Sequence, residues 1–85
     1  MLEKSMEIQL KNGLEARPVA VLVQIASQHE STVYIETKGK RVNAKSIMGM
    51  MSLGLNIGEE INVIADGKDE EEAISSIEKF LSGQE

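Results

Sequence analysis

The stretch from Asn12 to Pro18 reads NGLEARP and separates two different hydrophobic patterns. Before it, polar and apolar residues alternate from Ser5 to Leu10, and this period of two indicates a half-buried β-strand. Within it, Asn12-Gly13 is a turn signal. Pro18 suits the first turn of a helix, because its missing N–H would have no intrahelical partner there. The sequence therefore predicts a strand, a turn and then a helix.

After Pro18 the apolar residues repeat with the spacing of an α-helix. One stripe occupies positions i, i+3, i+4 and i+7, namely Val19, Leu22, Val23 and Ala26. The stripe predicts an amphipathic helix that begins near Ala16 or Arg17 and ends at about Ser27 or Gln28.

The middle of the chain predicts a hairpin followed by a short helix. The segment from Thr32 to Thr37 is rich in β-branched residues, Lys38-Gly39 is a turn, and Lys40 to Asn43 returns as the next strand. Ser46 is a good N-cap for the apolar segment from Ile47 to Leu53.

The last third predicts one more strand and one more helix. Ile61, Val63 and Ala65 alternate with other residues as a strand, and Asp66-Gly67 is a turn. Asp69 is expected to cap the final helix, where three glutamates suit the helix dipole in the first turn. Its buried stripe is predicted to comprise Ala73, Ile74, Ile77, Phe80 and Leu81.

The predicted element order is β-α-β-β-α-β-α. Because strands and helices do not alternate strictly, the expected class is α+β, with a four-stranded antiparallel sheet and three helices on one face. The 85 residues correspond to one domain, 1–85, with no predicted linker or repeat.

The composition excludes several kinds of function. A net charge of −5 argues against direct binding of nucleic acid, and no apolar run approaches the ~20 residues that span a membrane. The N-terminus lacks the pattern of a signal peptide, so a cytoplasmic location is expected. With one His and no Cys, and without nucleotide-binding or hydrolase motifs, we expect no metal, no cofactor and no enzymatic activity.

Two segments, NGLEARP at 12–18 and KSIMG at 45–49, together resemble the functional segments of HPr, the histidine-containing phosphocarrier protein of the bacterial sugar phosphotransferase system. The resemblance covers nearly the whole chain and implies the HPr fold, an open-faced β-sandwich. In the family, a phosphohistidine lies between the positions of Leu14 and Ala16. This chain has Glu15 there and retains Arg17, which in the family helps to hold the phosphate.

Several interpretations of Glu15 remain open. A carboxylate just before a helix N-terminus is common for structural reasons alone. It is a poor imitation of a phosphate, which carries about two charges and three oxygens. It is also a conceivable acceptor of a phosphoryl group as an acyl phosphate. His29 cannot replace the missing histidine, because it lies ~20 Å along the helix, where we expect an exposed side chain.

Ser46 matches the regulatory serine of HPr proteins from low-GC Gram-positive bacteria, which a bifunctional HPr kinase/phosphorylase phosphorylates with ATP. The resemblance therefore implies phosphorylation of Ser46. If Arg17 and Lys45 lie close to it, they help to stabilise the phosphate.

The resemblance also implies one docking patch, formed by the start of the first helix and by the second helix. Its expected members are Arg17, Ala20, Gln24, Lys45, Ile47, Met48 and Met51. We expect Met50 and Leu53 to lie in the core, and Met48 and Met51 to be exposed.

The substitution at Glu15 resembles the catabolite-repression HPr-like paralogues, which have glutamine in place of the histidine. These proteins do not carry phosphoryl groups to sugar permeases. Once phosphorylated on the serine, they act as corepressors of a LacI-type regulator, the catabolite control protein. The expected partners are therefore the kinase/phosphorylase, that regulator and other proteins of the phosphotransferase system.

Two alternative functions remain open at this point. One is a phosphocarrier HPr with a substituted active-site residue. The other is an interaction module that works through the permanent charge of Glu15, independently of Ser46. Replacing Glu15 with Gln would abolish the function of such a module and would leave regulation through Ser46 mostly intact.

Overall fold

The computed structural model describes residues 1–9, 16–54 and 58–83, and in the first helix it describes side chains from Pro18 onward. The elements follow the predicted order: β1 (Leu2–Glu7), α1 (Ala16–Ser27), β2 (Thr32–Thr37), β3 (Lys40–Asn43), α2 (Ile47–Met51), β4 (Glu60–Asp66) and α3 (Glu70–Leu81). The predicted bounds of α1 are confirmed. The first strand ends earlier than the alternation suggested, and Leu10 lies outside the described residues.

The four strands form one antiparallel sheet in the order β1-β4-β2-β3. Strand β4 lies between β1 and β2, with Met6 opposite Ile61 and Val33 opposite Ala65. The β2–β3 turn contains positive φ angles at Lys38 (52°) and Gly39 (77°), as tight hairpin turns with right-handed twist require.

All three helices contribute to one hydrophobic core on one face of the sheet. Alternate strand residues enter this core, as period-two patterning requires: Met6, Val33, Ile35, Ile61, Val63 and Ala65. The predicted helical stripes are also buried: Val19, Leu22, Val23 and Ala26 of α1, and Ala73, Ile74, Ile77, Phe80 and Leu81 of α3. The predicted α+β fold is therefore confirmed.

Asp69 precedes α3 as predicted, but its side chain does not cap that helix. Its carboxylate instead accepts hydrogen bonds from the backbone N–H groups of Glu30 and Ser31, both at 3.0 Å, and from the Ser31 hydroxyl. The Ser31 hydroxyl, followed by these two amides, holds the pKa of Asp69 well below its ordinary value. Asp69 thus occupies the predicted N-cap position of α3, but a cap formed by its side chain is absent because donors on residues 30 and 31 occupy the carboxylate.

Gly67 permits the close approach between the start of α3 and the segment that holds Ser31. A Cβ at position 67 would lie 2.7 Å from the Cα of Ser31. Real Cβ atoms essentially never come so near to backbone atoms, so a larger residue would push the two segments apart.

We expect Gly67→Ala to lower the free energy of unfolding by about 1–3 kcal/mol, as overpacking a dense region does. Urea denaturation at neutral pH measures this change. Ser75→Ala, on the exposed side of α3, is the control and is expected to stay within about 0.5 kcal/mol of the parent. Equal stability of Gly67→Ala and the parent would contradict the tight contact with Ser31.

Candidate functional site

Ser46 lies directly before α2 and acts as its N-cap, as predicted. Its backbone is extended (φ −110°, ψ 114°), and its Oγ accepts a hydrogen bond from the N–H of Gly49. The Oγ–N distance is 3.1 Å. The Ser46 N–H donates to the carbonyl oxygen of Asn43, and its own carbonyl accepts from Met50. These bonds fix the hydroxyl at the junction between β3 and α2.

Helix α2 presents an exposed apolar surface beside Ser46, which we call the α2 patch. It consists of Ile47, Met48 and Met51, whose exposed fractions are 47%, 85% and 50%. The opposite side of the same segment is buried, since Met50 is 2% exposed and Leu53 is 9% exposed. The predicted division into core and surface residues is confirmed.

The two residues of α1 that were expected to border the patch, Ala20 and Gln24, are exposed. They lie four positions apart, so both are on one side of the helix. Helices α1 and α2 contact each other. The fold therefore leaves Ala20 and Gln24 accessible on a helix that packs against α2, while a docking role for them stays a prediction.

Lys45 links the residue before Ser46 to the end of α1. Its Nζ donates to the carbonyl oxygen of His29 at 2.8 Å, and its backbone N–H donates to Oδ1 of Asn43, also at 2.8 Å. The ammonium group therefore has a backbone acceptor that the sequence did not indicate. This contact helps to hold the segment that precedes α2 against the end of α1.

His29 is mostly buried, with 15% of its side chain exposed, so the expectation of an exposed residue was wrong. Its Nδ1 lies 3.2 Å from Oδ2 of Asp69. Together with Ser31 and Asp69 it joins the end of α1 to the start of α3. Sequence reasoning missed this cluster because the two sides are 38 to 40 positions apart and follow no local pattern.

Glu15 lies outside the described residues, and so does the side chain of Arg17. Their expected roles, as the altered phosphohistidine position and as part of the docking patch, stay predictions.

Two further observations concern the described ranges, residues 1–9, 16–54 and 58–83. No group of three or more His, Asp or Glu side chains in them could hold a metal ion. Their helices are also too short or too polar to cross a bilayer.

A match to a known protein family extends along almost the whole chain. Residues 2–83 match the family described as the PTS HPr component phosphorylation site. The chain belongs to the HPr family. The resemblance carried by the segments at 12–18 and 45–49 is therefore confirmed.

Within this family, the chain is similar to HPr-like proteins named Crh. It is 49% identical to that of Halalkalibacterium halodurans over 81 residues, which are 95% of this chain and 96% of the relative. It is 47% identical to that of Bacillus subtilis over 81 residues, with 95% of both chains covered.

Solved structures of relatives have the same fold. HPr-C-His from Thermoanaerobacter tengcongensis superposes with a TM-score of 0.93 at 46% identity, covering 99% of this chain and 94% of that chain. Crh of Bacillus subtilis, described as a catabolite repression protein with a swapped, intertwined dimer, gives a TM-score of 0.79 at 45% identity, covering 99% and 97%. The chain is thus a Crh-like member of the HPr family.

Proposed function

We propose that this protein is a regulator in carbon catabolite control and that its signal is the phosphorylation of Ser46. Two facts support the proposal: its similarity to Crh, which is described as a catabolite repression protein, and the glutamate at position 15. The partners are the HPr kinase/phosphorylase and the LacI-type catabolite control regulator. Other proteins of the phosphotransferase system are further candidates.

The observation that carries this proposal is the position of Ser46 beside the α2 patch. The hydroxyl is fixed at the start of α2, and the next two residues, Ile47 and Met48, expose apolar side chains. Phosphorylation adds roughly two negative charges there at neutral pH. The result is a composite surface, in which a charged group adjoins an apolar patch.

Such a surface suits a partner that combines arginines with an apolar pocket. Arginine binds phosphate through two parallel hydrogen bonds, which gives both strength and orientation. The apolar pocket would take up the α2 patch, with Arg17, Ala20, Gln24 and Lys45 at its border. A partner of this kind distinguishes the phosphorylated protein from the unphosphorylated one through the charge alone.

Carrier chemistry is a weaker candidate because this chain has no suitable histidine. The single histidine of the chain is His29, which lies just beyond the C-terminal end of α1. Its Nδ1 contacts the carboxylate of Asp69. In this proposal Glu15 prevents phosphotransfer from the first enzyme of the phosphotransferase system. Regulation through Ser46 then remains as the function of the site.

The proposal is tested by incubating the protein with ATP and the HPr kinase/phosphorylase and measuring its intact mass. We expect one added phosphoryl group on the parent and none on Ser46→Ala. Ser52→Ala is the matched control, because Ser52 is an exposed serine at the other end of α2 that donates to the carbonyl of Gly49. This variant is expected to be phosphorylated like the parent.

Two results would contradict the proposal. One is an unmodified parent in the presence of a kinase that phosphorylates a known HPr in the same assay. The other is a phosphoryl group that persists in Ser46→Ala and disappears in Ser52→Ala. Circular dichroism of each variant shows that a missing modification does not result from unfolding.

A further inference from the structure

Three of the five methionines of this chain lie on α2, and the fold exposes them to very different degrees. Met48 is 85% exposed and Met51 is 50% exposed, whereas Met50 is 2% exposed. The remaining two provide internal references, since Met1 is 78% exposed and Met6 is 7% exposed. The exposed thioethers on α2 therefore belong to the surface beside Ser46.

The helix geometry explains this contrast. Successive residues of an α-helix are rotated by about 100°, so Met48 and Met51 lie about 60° apart on one side, while Met50 lies about 160° away from Met48. The side that carries Met50 packs into the core. The two exposed sulfur atoms are thus displayed together, and folding shields the third.

We propose that Met48 and Met51 form a redox modification site that inactivates the α2 patch when a hydroperoxide oxidises their thioethers. In this step the sulfur lone pair attacks one peroxide oxygen. An S–O bond forms as the O–O bond breaks. The departing oxygen takes up the proton of the attacked oxygen and leaves as water from hydrogen peroxide or as an alcohol from an organic hydroperoxide. The sulfur loses two electrons and the peroxide gains them. Methionine sulfoxide reductases reverse the product, so the site is able to act as a switch.

Oxidation would change the patch without changing the phosphorylation of Ser46. A sulfoxide is polar, and burying it without a hydrogen-bond donor is unfavourable, whereas an intact methionine gains from burial in an apolar pocket. We expect each sulfoxide to weaken docking on the patch by about ten-fold. This part of the inference rests on the proposed function. The selectivity of oxidation does not.

The first test treats the folded full-length protein with hydrogen peroxide at neutral pH and measures each methionine by peptide mass spectrometry. We expect Met48 and Met51 to gain one oxygen at rates near that of Met1, and Met50 and Met6 to remain unmodified much longer. Oxidation of Met50 as fast as that of Met48 would overturn the proposal.

The second test asks whether oxidation makes the patch more polar, and it requires no partner. Retention on a hydrophobic-interaction column is compared before and after peroxide, for the parent and for Met48→Leu/Met51→Leu. The double variant keeps an apolar patch and retains Met1, Met6 and Met50. We expect peroxide to shorten the retention of the parent more than that of the variant. Equal shifts would assign the change to Met1 and overturn the proposal.

The third test measures binding of the Ser46-phosphorylated protein to the catabolite control regulator. Each protein is compared with itself before and after peroxide. We expect peroxide to lower the affinity of the parent and to have no effect on the affinity of the double leucine variant. Undiminished binding by the oxidised parent would overturn the switch. If the unoxidised phosphorylated protein does not bind at all, the proposed function fails, and the first two tests still decide the modification site.

Discussion

Replacing Asp69 with Asn is expected to destabilise the protein at pH 7 and to remove much of its sensitivity to acid. The carboxylate of Asp69 accepts hydrogen bonds from the Glu30 and Ser31 amides and from the Ser31 hydroxyl. Ser31 is a buried residue, with 1% of its surface exposed. An amide side chain has one acceptor oxygen instead of two and lacks the charge. It therefore cannot satisfy these donors equally well.

The direction of the pH dependence follows from the lowered pKa of Asp69. In the unfolded chain an Asp carboxyl titrates near pH 4. A group whose pKa is lower in the folded state stabilises the fold fully above its unfolded pKa, and this contribution is lost as the pH falls below that value. The stability of the parent should thus decline as the pH is lowered from about 5 to 3, and that of Asp69→Asn should decline less.

Thermal unfolding at pH 7, 5 and 3 measures this effect, and we expect Asp69→Asn to lower the midpoint by several degrees at pH 7. Asp66→Asn is the matched control, because Asp66 is exposed and its carboxylate lies 3.6 Å from the terminal amine. Exposed ion pairs contribute little. The same decline with acid in Asp69→Asn as in the parent would contradict the proposed origin of the pH dependence.

Some pH dependence should remain in Asp69→Asn because Glu70 also has a lowered pKa. The hydrogen bond that the N–H of Gly67 donates to the Glu70 carboxylate is the main cause of the lowered pKa, and the terminal amine of Met1 lowers the pKa further. Comparison of Asp69→Asn with Asp69→Asn/Glu70→Gln separates the two contributions. The double variant should show the flatter profile.

The parts of the fold that could be predicted from the sequence are those encoded by local periodicity. The helical stripe of α1 and the alternation in β2 and β4 each recur within a few residues, so they identify the buried side without knowledge of the neighbours. The exposure of Met48 and Met51 was also predictable, since so short a helix offers more apolar side chains than one face can bury.

The contacts that escaped prediction join segments far apart in the chain. Asp69 has the position of a helix cap, and only the folded chain shows that Ser31 and Glu30 supply its donors. Lys45 likewise reaches a backbone carbonyl, that of His29, and any residue type provides such an acceptor. A sequence pattern cannot identify partners of this kind, because they depend on where the elements pack.

Replacing Met48 with Asp is expected to weaken binding of the Ser46-phosphorylated protein to the catabolite control regulator by about 100-fold. Truncation of a central apolar anchor often costs 2 kcal/mol or more, which is roughly 30-fold in affinity, and an unpaired charge adds a further penalty in a desolvated pocket. The 85% exposure of Met48 means that the fold itself should tolerate the change.

The measurement uses protein that mass spectrometry shows to be fully phosphorylated, so an effect on the kinase cannot imitate an effect on docking. Met48→Leu preserves the apolar side chain and should bind within a few-fold of the parent. Ser75→Asp adds the same charge on the exposed side of α3 and should bind normally. Unchanged binding by Met48→Asp would exclude Met48 from the interface and leave the charge on Ser46 as the main determinant. If Ser75→Asp were equally impaired, the loss would reflect overall charge, since an interface at the α2 patch should discriminate between these two positions.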